Sequence, residues 1–468
     1  ITSPGARYDA EGTGGIINII TKKNDLQGGS LSVDTNVGNR GAGLRLNASY
    51  RTGRTGFTLG GFGRSGYNIL GEYENEQVLK NEFGDVMSST FQQAETRSNM
   101  LFGRYNFGWD YAINKYNWVG ASVNFGVRNF KMNQDERLTE TTDMNGLRSS
   151  MENVAMDNLG NSVDISANYI RSFDEKDKEI SLITLYSQNK STNDFDIETL
   201  MSDTPLDYNF IRNQNDSYNK ELTFQLDYVE PLTDRAKLEI GGKNIMRSVT
   251  SDFAYFSGLS EDELEESSRG NLNNNFEYEQ NVMAGYISGT FDLGKDYTAM
   301  IGGRYEYTTI NANFSDEEEL EIPDYGVFVP SINLSKKLSE VNTVKFAFSR
   351  RIQRPSLQFL NPNIDASNPL NISQGNPNLD PEYTNNYEMS LSSFKNGTSI
   401  NVSAFMRNTN GSIQQVRQTL GQDTVYTSYQ NIGEEDAYGL SVFANTRIGK
   451  LTLSGGVDSY YAVLNNNV

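Results

Sequence analysis

The chain has 468 residues, a formal net charge of −20, 42 glycines, 26 tyrosines and 24 phenylalanines, and it contains neither histidine nor cysteine. Without cysteine it has no disulfide framework and no thiolate chemistry, and without histidine it lacks the usual general base, a Ser-His-Asp triad and the commonest metal ligand. The negative charge has the wrong sign for a protein that binds nucleic acid through its phosphates.

The first predicted element is a short apolar strand at 14–20. Its sequence, GGIINII, stands in a polar region and is followed closely by Lys22 and Lys23. Because both faces of the strand are apolar, it needs packing partners on both sides, as buried strands do. The chain begins with Ile1 rather than methionine, so we expect it to be part of a longer protein.

From residue 28 onward, apolar and polar residues alternate with period 2, and helical periodicity is hard to find. No stretch approaches the ~20 apolar residues that a membrane-spanning helix needs, but a spanning β-strand needs an apolar residue only at every second position. In a barrel the alternation points one set of side chains at lipid, namely Leu44, Leu46, Leu222, Phe224, Leu226, Phe346 and Phe348. It points a second set at the lumen, namely Arg45, Gln225, Asp227 and Lys345. We predict seventeen strands, near 28–37, 43–52, 56–66, 97–110, 116–130, 160–172, 178–191, 219–232, 235–250, 277–293, 297–312, 326–338, 342–352, 384–394, 398–408, 436–448 and 451–462.

From the third strand onward the predicted connections alternate between short and long. The short ones are the tight turns DYAIN, DEKD, LTDR, GKD, SE, KNG and GK. The long loops are predicted at roughly 67–96, 131–159, 192–218, 251–276, 313–325, 353–383 and 409–435. A soluble β-sandwich has no reason to keep all its long loops at one end, whereas a transmembrane barrel has short periplasmic turns and long extracellular loops. The alternation therefore favours an all-β, antiparallel transmembrane barrel.

The predicted loops carry much of the negative charge, and 251–279 holds eight acidic residues against one basic residue. A solvated surface accounts for such runs. A Ca²⁺ site is the alternative, because that ion prefers oxygen ligands on flexible loops. No EF-hand spacing supports it. The Ca²⁺ candidates are Asp316, Glu317, Glu318, Glu319, Glu321 and Asp324.

The opening stretch ARYDAEGTGGIINIITKK resembles the end of the plug domain of TonB-dependent outer-membrane receptors, in which G-G-x-I-N-I-x-T-K leads into the first barrel strand. The matching residues are Gly14, Gly15, Ile17, Asn18, Ile19, Thr21 and Lys22. A plug fills the barrel lumen, so the resemblance implies that 14–20 lies inside the barrel, in contact with polar residues of the wall.

A second stretch, 349–388, resembles a segment of TonB-dependent receptors of the Bacteroidota outer-membrane β-barrel family, with S-R-x-x-x-R-P-S followed by G-N-P-x-L-x-P-E. The residues that carry this loop motif are Arg350, Arg354, Pro355, Gly375, Asn376, Pro377, Pro381 and Glu382. Five of the chain's ten prolines fall in the segment. Proline removes hydrogen-bond donors from a sheet, so we expect a stiff, ordered extracellular loop rather than a central strand.

Receptors of this class resemble 22-stranded barrels with a plugged lumen. About 17 strands of the expected 22 are present, so we expect residues 1–24 to be the C-terminal end of a plug domain and its linker, and 25–468 to be a barrel that is incomplete at its C-terminal end.

The resemblance implies a transporter in the outer membrane of a Gram-negative bacterium. A scarce nutrient would bind between the extracellular loops and the plug, and a TonB-type energy-transducing protein would pull on the plug. Lipid and lipopolysaccharide would surround the barrel, with no cofactor and no nucleic-acid partner. The ligand stays open among siderophore, glycan, peptide and vitamin, because a fold does not fix a function.

A barrel scaffold within a larger outer-membrane complex is the alternative. A surface lipoprotein or other subunits would then bind its loops or turns, and transport would be lost or secondary. An enzyme is disfavoured, because no spacing singles out the paired carboxylates or Ser–Lys pair that it would need without histidine.

Overall fold

The computed structural model describes residues 4–12, 27–80, 83–144, 146–206, 208–266, 274–314, 322, 324–361, 364–365, 371–420 and 424–465. The strands are β1 Gly28–Gly38, β2 Gly41–Thr52, β3 Thr55–Lys80, β4 Val86–Ala112, β5 Asn117–Asp143, β6 Gly146–Ser172, β7 Glu179–Ser202, β8 Phe210–Thr233, β9 Ala236–Gly258, β10 Glu265–Glu266, β11 Asn274–Gly294, β12 Tyr297–Phe314, β13 Tyr325–Lys337, β14 Asn342–Gln353, β15 Ile364–Asp365, β16 Asn371–Gln374, β17 Glu382–Lys395, β18 Thr398–Asn410, β19 Ile413–Leu420, β20 Thr424–Asn431, β21 Glu434–Ile448 and β22 Leu451–Asn465. A 3₁₀ turn spans Glu261–Glu263, and the short helix α1 spans Leu357–Leu360. No helix in these ranges is long and apolar enough to cross a membrane.

One antiparallel sheet contains seventeen long strands and the dipeptide strand β10. Each long strand pairs with the next long strand along the chain, from β1 through β9, then β11 to β14, β17, β18, β21 and β22. This confirms the predicted all-β class, the antiparallel meander and the strand count. The expected total of 22 strands and the domain division at residue 24 stay predictions.

The two faces of the sheet differ as the alternation predicts. On β8, Leu226 is 54% exposed and the next residue, Asp227, is 1% exposed. Leu334, Phe346 and Met389 lie opposite one another on β13, β14 and β17, and all three are exposed. Of the other predicted lipid-facing residues, Leu44 and Phe224 are exposed and Leu46, Leu222 and Phe348 are partly exposed. An apolar outer surface of this kind suits a bilayer.

The predicted inward residues lie on the opposite face. The Gln225 amide donates to Asp227 at 2.9 Å. Lys345 lines a cavity of about 450 Å³ together with Arg7 and Tyr8, which lie on the concave side of the sheet. Arg45 is exposed on β2.

Three of the predicted long loops are wrong. Residues 67–96, 131–159 and 192–218 are mostly strand, because β3 to β8 pair far beyond their predicted ends and leave only short connections between them. The prediction at 251–276 is wrong in part, since β9 continues to Gly258. Beyond the bilayer the outward face of a strand meets water and no longer has to be apolar, so the alternation weakens, but the backbone hydrogen bonds continue. The extended parts of β6 to β9 still bury an apolar cluster that includes Val154, Phe195 and Ile197.

The part of the wall formed by β3 to β9 is therefore much taller than the part formed by the later strands. Strands β3 to β9 have 23–27 residues, whereas β13, β14, β17, β18, β21 and β22 have 12–15. About 9–11 residues suffice to cross a bilayer. The tall strands extend past it at the end of the barrel opposite the short turns, which we call the long-loop end.

The connections at the long-loop end after β14 and β18 form a second, four-stranded sheet. Its order is β15, β16, β20 and β19, and β16 pairs with β20 in parallel. Beside this sheet, Leu360 and Leu379 pack against Val249, Phe276 and Tyr278 on β9 and β11. The connection from β14 to β17 thus folds onto the wall of the barrel.

Candidate functional site

A short segment from the start of the chain, residues 4–12, lies against the concave face of the sheet. The Ile352 N–H donates to the Ala10 carbonyl at 2.9 Å, and the Gly12 N–H donates to the Ile352 carbonyl at 3.0 Å. The last residue of β14 that pairs with β13 is Ser349. Beyond Ser349 the edge of β14 is open, and Glu11 pairs there in parallel with Ile352. The segment is thus held as a short added strand.

Ion pairs connect the acidic side chains of this segment to the wall. Glu11 contacts Arg354 at 3.3 Å and Arg247 at 3.4 Å. Asp9 contacts Lys243 on β9 at 2.7 Å and Arg304 on β12 at 3.3 Å. These contacts bridge residues that lie more than 230 positions apart in the sequence.

A buried carboxylate on β12 organises two of these cations. Glu306 accepts from Arg304 Nε at 2.6 Å and from Arg354 Nη2 at 2.8 Å. The same Arg354 nitrogen donates to the Thr308 hydroxyl at 3.1 Å. The Ala10 N–H donates to Glu306 at 3.3 Å. Both arginines are therefore fixed by the barrel before they contact the segment, which lowers the entropy lost on docking.

The other end of the segment is held by a single carboxylate. Asp227 accepts from Arg7 at 3.2 Å, from the Tyr286 hydroxyl at 2.7 Å and from Gln225. Ala6 packs closely on β12, since a Cβ built on Gly302 would lie 2.9 Å from the Ala6 Cβ. Apolar contact is small elsewhere, with Ala10 packed among Val327, Val329 and Ile352.

The residues of the predicted plug-end motif, Gly14, Gly15, Ile17, Asn18, Ile19, Thr21 and Lys22, lie outside the described residues. Their predicted position in the lumen stays a prediction. The segment that directly precedes them, 4–12, contacts the inner wall.

The loop-motif residues fall into separate places. Arg354 joins the ion network, whereas the Arg350 guanidinium lies 5.0 Å from the centre of the Tyr383 ring. Pro355, Pro377 and Pro381 line a cavity of about 360 Å³ between the loop and the wall.

Gly375 and Asn376 hold the loop together. A Cβ at Gly375 would lie 2.4 Å from the Asn361 carbonyl oxygen, so only glycine fits there without backbone movement. The Asn376 side chain donates to the Tyr429 carbonyl at 2.9 Å, and the Phe359 and Tyr429 rings stack at 4.3 Å. These contacts tie the connection after β14 to the one after β18.

A cavity of about 600 Å³ lies between this loop and the tall wall. Four strands supply its polar lining: β6 gives Asn158, β7 gives Asn189, Ser191 and Asn193, β8 gives Asn213, Asn215, Ser217 and Asn219, and β9 gives Ser251. The loops add Asn361, Ser373, Gln374, Gly375 and Tyr429, and the remaining lining residues are Arg128, Met156, Asp194, Phe195, Tyr218, Val249, Phe253 and Phe276.

This cavity does not follow from the sequence when 192–218 is predicted to be a loop. The signal is nevertheless present, since Asn213, Asn215, Ser217 and Asn219 alternate with period 2. That alternation places small polar side chains on one face of β8.

Two carboxyl groups near the loops lie more than about 11 residues from the nearest short turn and so outside the membrane-spanning segments. Burial raises the pKa of Asp194 above its ordinary value, and the neighbouring Asp216 adds to the shift although the Asn215 N–H opposes it. Burial also raises the pKa of Glu382, and the hydrogen bond from the Ile413 N–H at 2.6 Å opposes that shift.

Five of the six Ca²⁺ candidates, Asp316, Glu317, Glu318, Glu319 and Glu321, lie outside the described residues. The sixth, Asp324, accepts a hydrogen bond from the Tyr307 hydroxyl at 3.0 Å. Where side chains are described, no group of three or more acidic residues is placed to hold a metal ion.

Comparison of the sequence with protein families gives a match to the outer membrane protein beta-barrel family over residues 171–467. A search of curated proteins found no match.

Several solved outer-membrane structures have a similar fold. The ferric yersiniabactin uptake receptor FyuA from Yersinia pestis is 14% identical with a TM-score of 0.60, and the match covers 97% of this chain and 64% of that one. The ferric citrate transporter FecA in its unliganded form is 13% identical with a TM-score of 0.61, covering 100% and 65%. The copper transporter OprC is 10% identical with a TM-score of 0.62, covering 95% and 63%. At these identities the similarity is one of fold, and this chain spans just under two thirds of each of the three.

Proposed function

The chain belongs to the outer membrane protein beta-barrel family and lies in the outer membrane of a Gram-negative bacterium, and on that premise we propose that it is the barrel of an energy-dependent uptake receptor. A nutrient binds at the long-loop end. A TonB-type protein then supplies the force that releases a plug from the lumen. The Bacteroidota origin suggested by the loop motif stays a prediction.

The observation that carries the proposal is the docking of residues 4–12. The segment precedes the barrel in sequence and lies on its concave face, where it is held mainly by ion pairs and by two backbone hydrogen bonds to Ile352. Polar contacts of this kind can be exchanged for water, so a segment held by them can leave and return without exposing a large apolar core. Reversible docking is what a gated plug needs.

The segment is also connected to the long-loop end of the barrel through Arg354. Arg354 contacts Glu11 and Glu306, and the chain continues from Arg354 directly into Pro355 and α1. The next residue after α1, Asn361, lines the 600 Å³ cavity. A ligand that moves this loop would thereby act on an arginine that holds the plug segment.

Cysteine labelling in living cells tests the function without knowledge of the ligand. The chain has no cysteine, and Ala10 is 0% exposed, so an Ala10→Cys variant reports release of the segment. We expect a small maleimide to label it faster in energised cells than in cells treated with an uncoupler, and we expect the difference to vanish without the TonB-type protein.

The matched control is Ala94→Cys, a buried alanine on β4. Its labelling should not depend on the energy state. Equal labelling rates at residue 10 in energised and uncoupled cells would refute gating by this segment. That result would favour the alternative, a barrel scaffold without transport.

A further inference from the structure

The 600 Å³ cavity at the long-loop end has a lining that indicates one class of ligand. We propose that it binds an uncharged, hydroxyl-rich molecule of the chemical class of a neutral oligosaccharide. This inference rests on the proposed uptake function and specifies its substrate. The volume falls within the range of small-molecule binding sites.

Carboxamides dominate the polar lining, with seven asparagines and one glutamine among the lining residues. A carboxamide both donates and accepts hydrogen bonds. A sugar hydroxyl does the same, so an array of carboxamides can satisfy adjacent hydroxyls whichever way each one is oriented. A carboxylate or an ammonium group offers only one of the two roles.

The strand register arranges these groups in rows across the wall. Asn158 lies directly opposite Asn193, and Asn189 lies opposite Asn219. Ser191, Ser217 and Ser251 form a third row on β7, β8 and β9. Directly opposite side chains lie about 4.5–5.5 Å apart at Cβ. The rows thus present regularly repeated polar groups to an extended ligand.

One carboxamide has an unused donor. The Asn213 side chain is 3% exposed and lines the cavity, and its Nδ2 has no hydrogen-bond partner among the described residues. An unpaired buried amide lowers the stability of a fold. A hydroxyl of a bound ligand would supply the missing acceptor.

The charge of the lining argues against an anionic iron complex. Arg128 and Asp194 are the only charged side chains that line the cavity as described, and their charges cancel. The arginines near residues 4–12 already have carboxylate partners on the wall, since Arg247 pairs with Glu221 and Arg354 pairs with Glu306. A multiply charged anion would find little compensation here.

The apolar lining suits a sugar ring as well. Five aromatic residues line the cavity: Phe195, Tyr218, Phe253, Phe276 and Tyr429. An aromatic face packs against the C–H face of a pyranose, and the partly exposed Tyr218 and Tyr429 are the most accessible of the five rings. Mixed lining of this kind gives both packing area and orientation.

The test is a binding screen on the full-length protein in detergent. The probes are an array of neutral oligosaccharides of four to eight units, covering glucans, mannans, xylans, galactans, fructans and chitin-type chains, with ferric citrate and hexa-alanine as probes of the other classes. Hits are titrated calorimetrically. We expect at least one neutral oligosaccharide to bind, and ferric citrate and hexa-alanine not to bind.

The variants separate a ligand contact from a structural role. Asn213→Ala should weaken binding by about tenfold or more while leaving the melting temperature equal or higher, because it removes an unpaired buried amide. Asn189→Ala, at an exposed position, should weaken binding without any effect on folding. Gln214→Ala is the matched control on the opposite face of β8, and it should bind as the parent does.

Binding of no neutral oligosaccharide, or binding that Asn213→Ala and Asn189→Ala leave unchanged, would overturn the proposal. So would a melting temperature that falls in Asn213→Ala, since it would indicate that another segment of the chain uses this amide. Binding of ferric citrate alone would overturn the ligand class and leave the uptake function standing. Failure of the uptake function itself would appear in the Ala10→Cys labelling, which needs no ligand.

Discussion

Replacing Glu11 by glutamine should loosen the segment at 4–12 without disturbing the barrel. Its carboxylate lies 3.3 Å from Arg354 and 3.4 Å from Arg247. Both arginines keep a carboxylate partner on the wall after the change, Glu306 for Arg354 and Glu221 for Arg247. The substitution therefore weakens only the ion pairs between the segment and the wall, and it leaves neither arginine without a carboxylate partner.

The magnitude follows from the exposure of the pair. Glu11 is 33% exposed at its side chain and Arg247 is 26% exposed, whereas Arg354 is 3% exposed. Solvent screening limits each contact to the upper part of the range for surface pairs, about 0.5–1 kcal/mol. Two contacts amount to about 1–2 kcal/mol, so the population of the released segment should rise roughly 5- to 30-fold.

The labelling rate of Ala10→Cys in the purified protein measures this population, because residue 10 reacts only when the segment has left the wall. The control is Glu340→Gln, the same chemical change at an exposed residue of a short turn, which should leave the rate unchanged. High salt should narrow the difference between Glu11→Gln and the parent by screening the ion pairs. A rate that rises less than twofold would show that the backbone bonds to Ile352, rather than the ion pairs, hold the segment.

Three further outcomes are expected. Gly375→Ala places a Cβ 2.4 Å from a backbone carbonyl oxygen and should lower the free energy of unfolding by about 1–3 kcal/mol. Proteolysis of the loop after β14 should then be faster. The control Gly285→Ala, with open space around it, should leave proteolysis unchanged. Phe346→Arg puts a charge on the lipid-facing side of β14 and should cost about 2–4 kcal/mol in refolding into lipid bilayers; an unchanged refolding midpoint would contradict a membrane position for that face. The pKa of Glu382 is raised above its ordinary value of 4.5 because burial favours the protonated carboxyl group. Its contribution to the free energy of unfolding is therefore complete below pH 4.5 and is lost as the pH rises through the raised pKa. Glu382→Gln should therefore match the parent in thermal stability at pH 4 and equal or exceed it at pH 7, and lower stability at pH 7 alone would contradict the shift.

The sequence alone determined the part of the fold that meets lipid. Seventeen strands and their ends at the short turns follow from the alternation of residues such as Phe346 and Lys345. Hydrocarbon favours apolar side chains on the outward face, so the constraint is local and can be read along one strand. The short turns follow as well, because short stretches rich in Asp, Asn, Gly and Lys between such strands favour tight turns.

The same rule failed where lipid ends. Residues 192–218 read as a loop because the outward face meets water there and no longer has to be apolar, yet β7 and β8 continue through most of this range and bury Phe195, Ile197 and Ile211 in one apolar cluster. Their backbone groups are paired by neighbouring strands, which is a property of the assembled sheet. For this reason the residues that line the cavity could not be identified from the sequence.

The candidate site was decided by the tertiary structure. The loop motif marked Arg354, but nothing near it in sequence indicates Glu11, its partner 343 positions away, or Glu306, which fixes its guanidinium. Likewise, nothing in the sequence distinguishes Asn213 from the other asparagines. Its amide is enclosed only by the pairing of four strands and by the loop that folds over them. Pairing and enclosure of polar groups depend on which strands are neighbours in the sheet and on which of them contact residues 4–12.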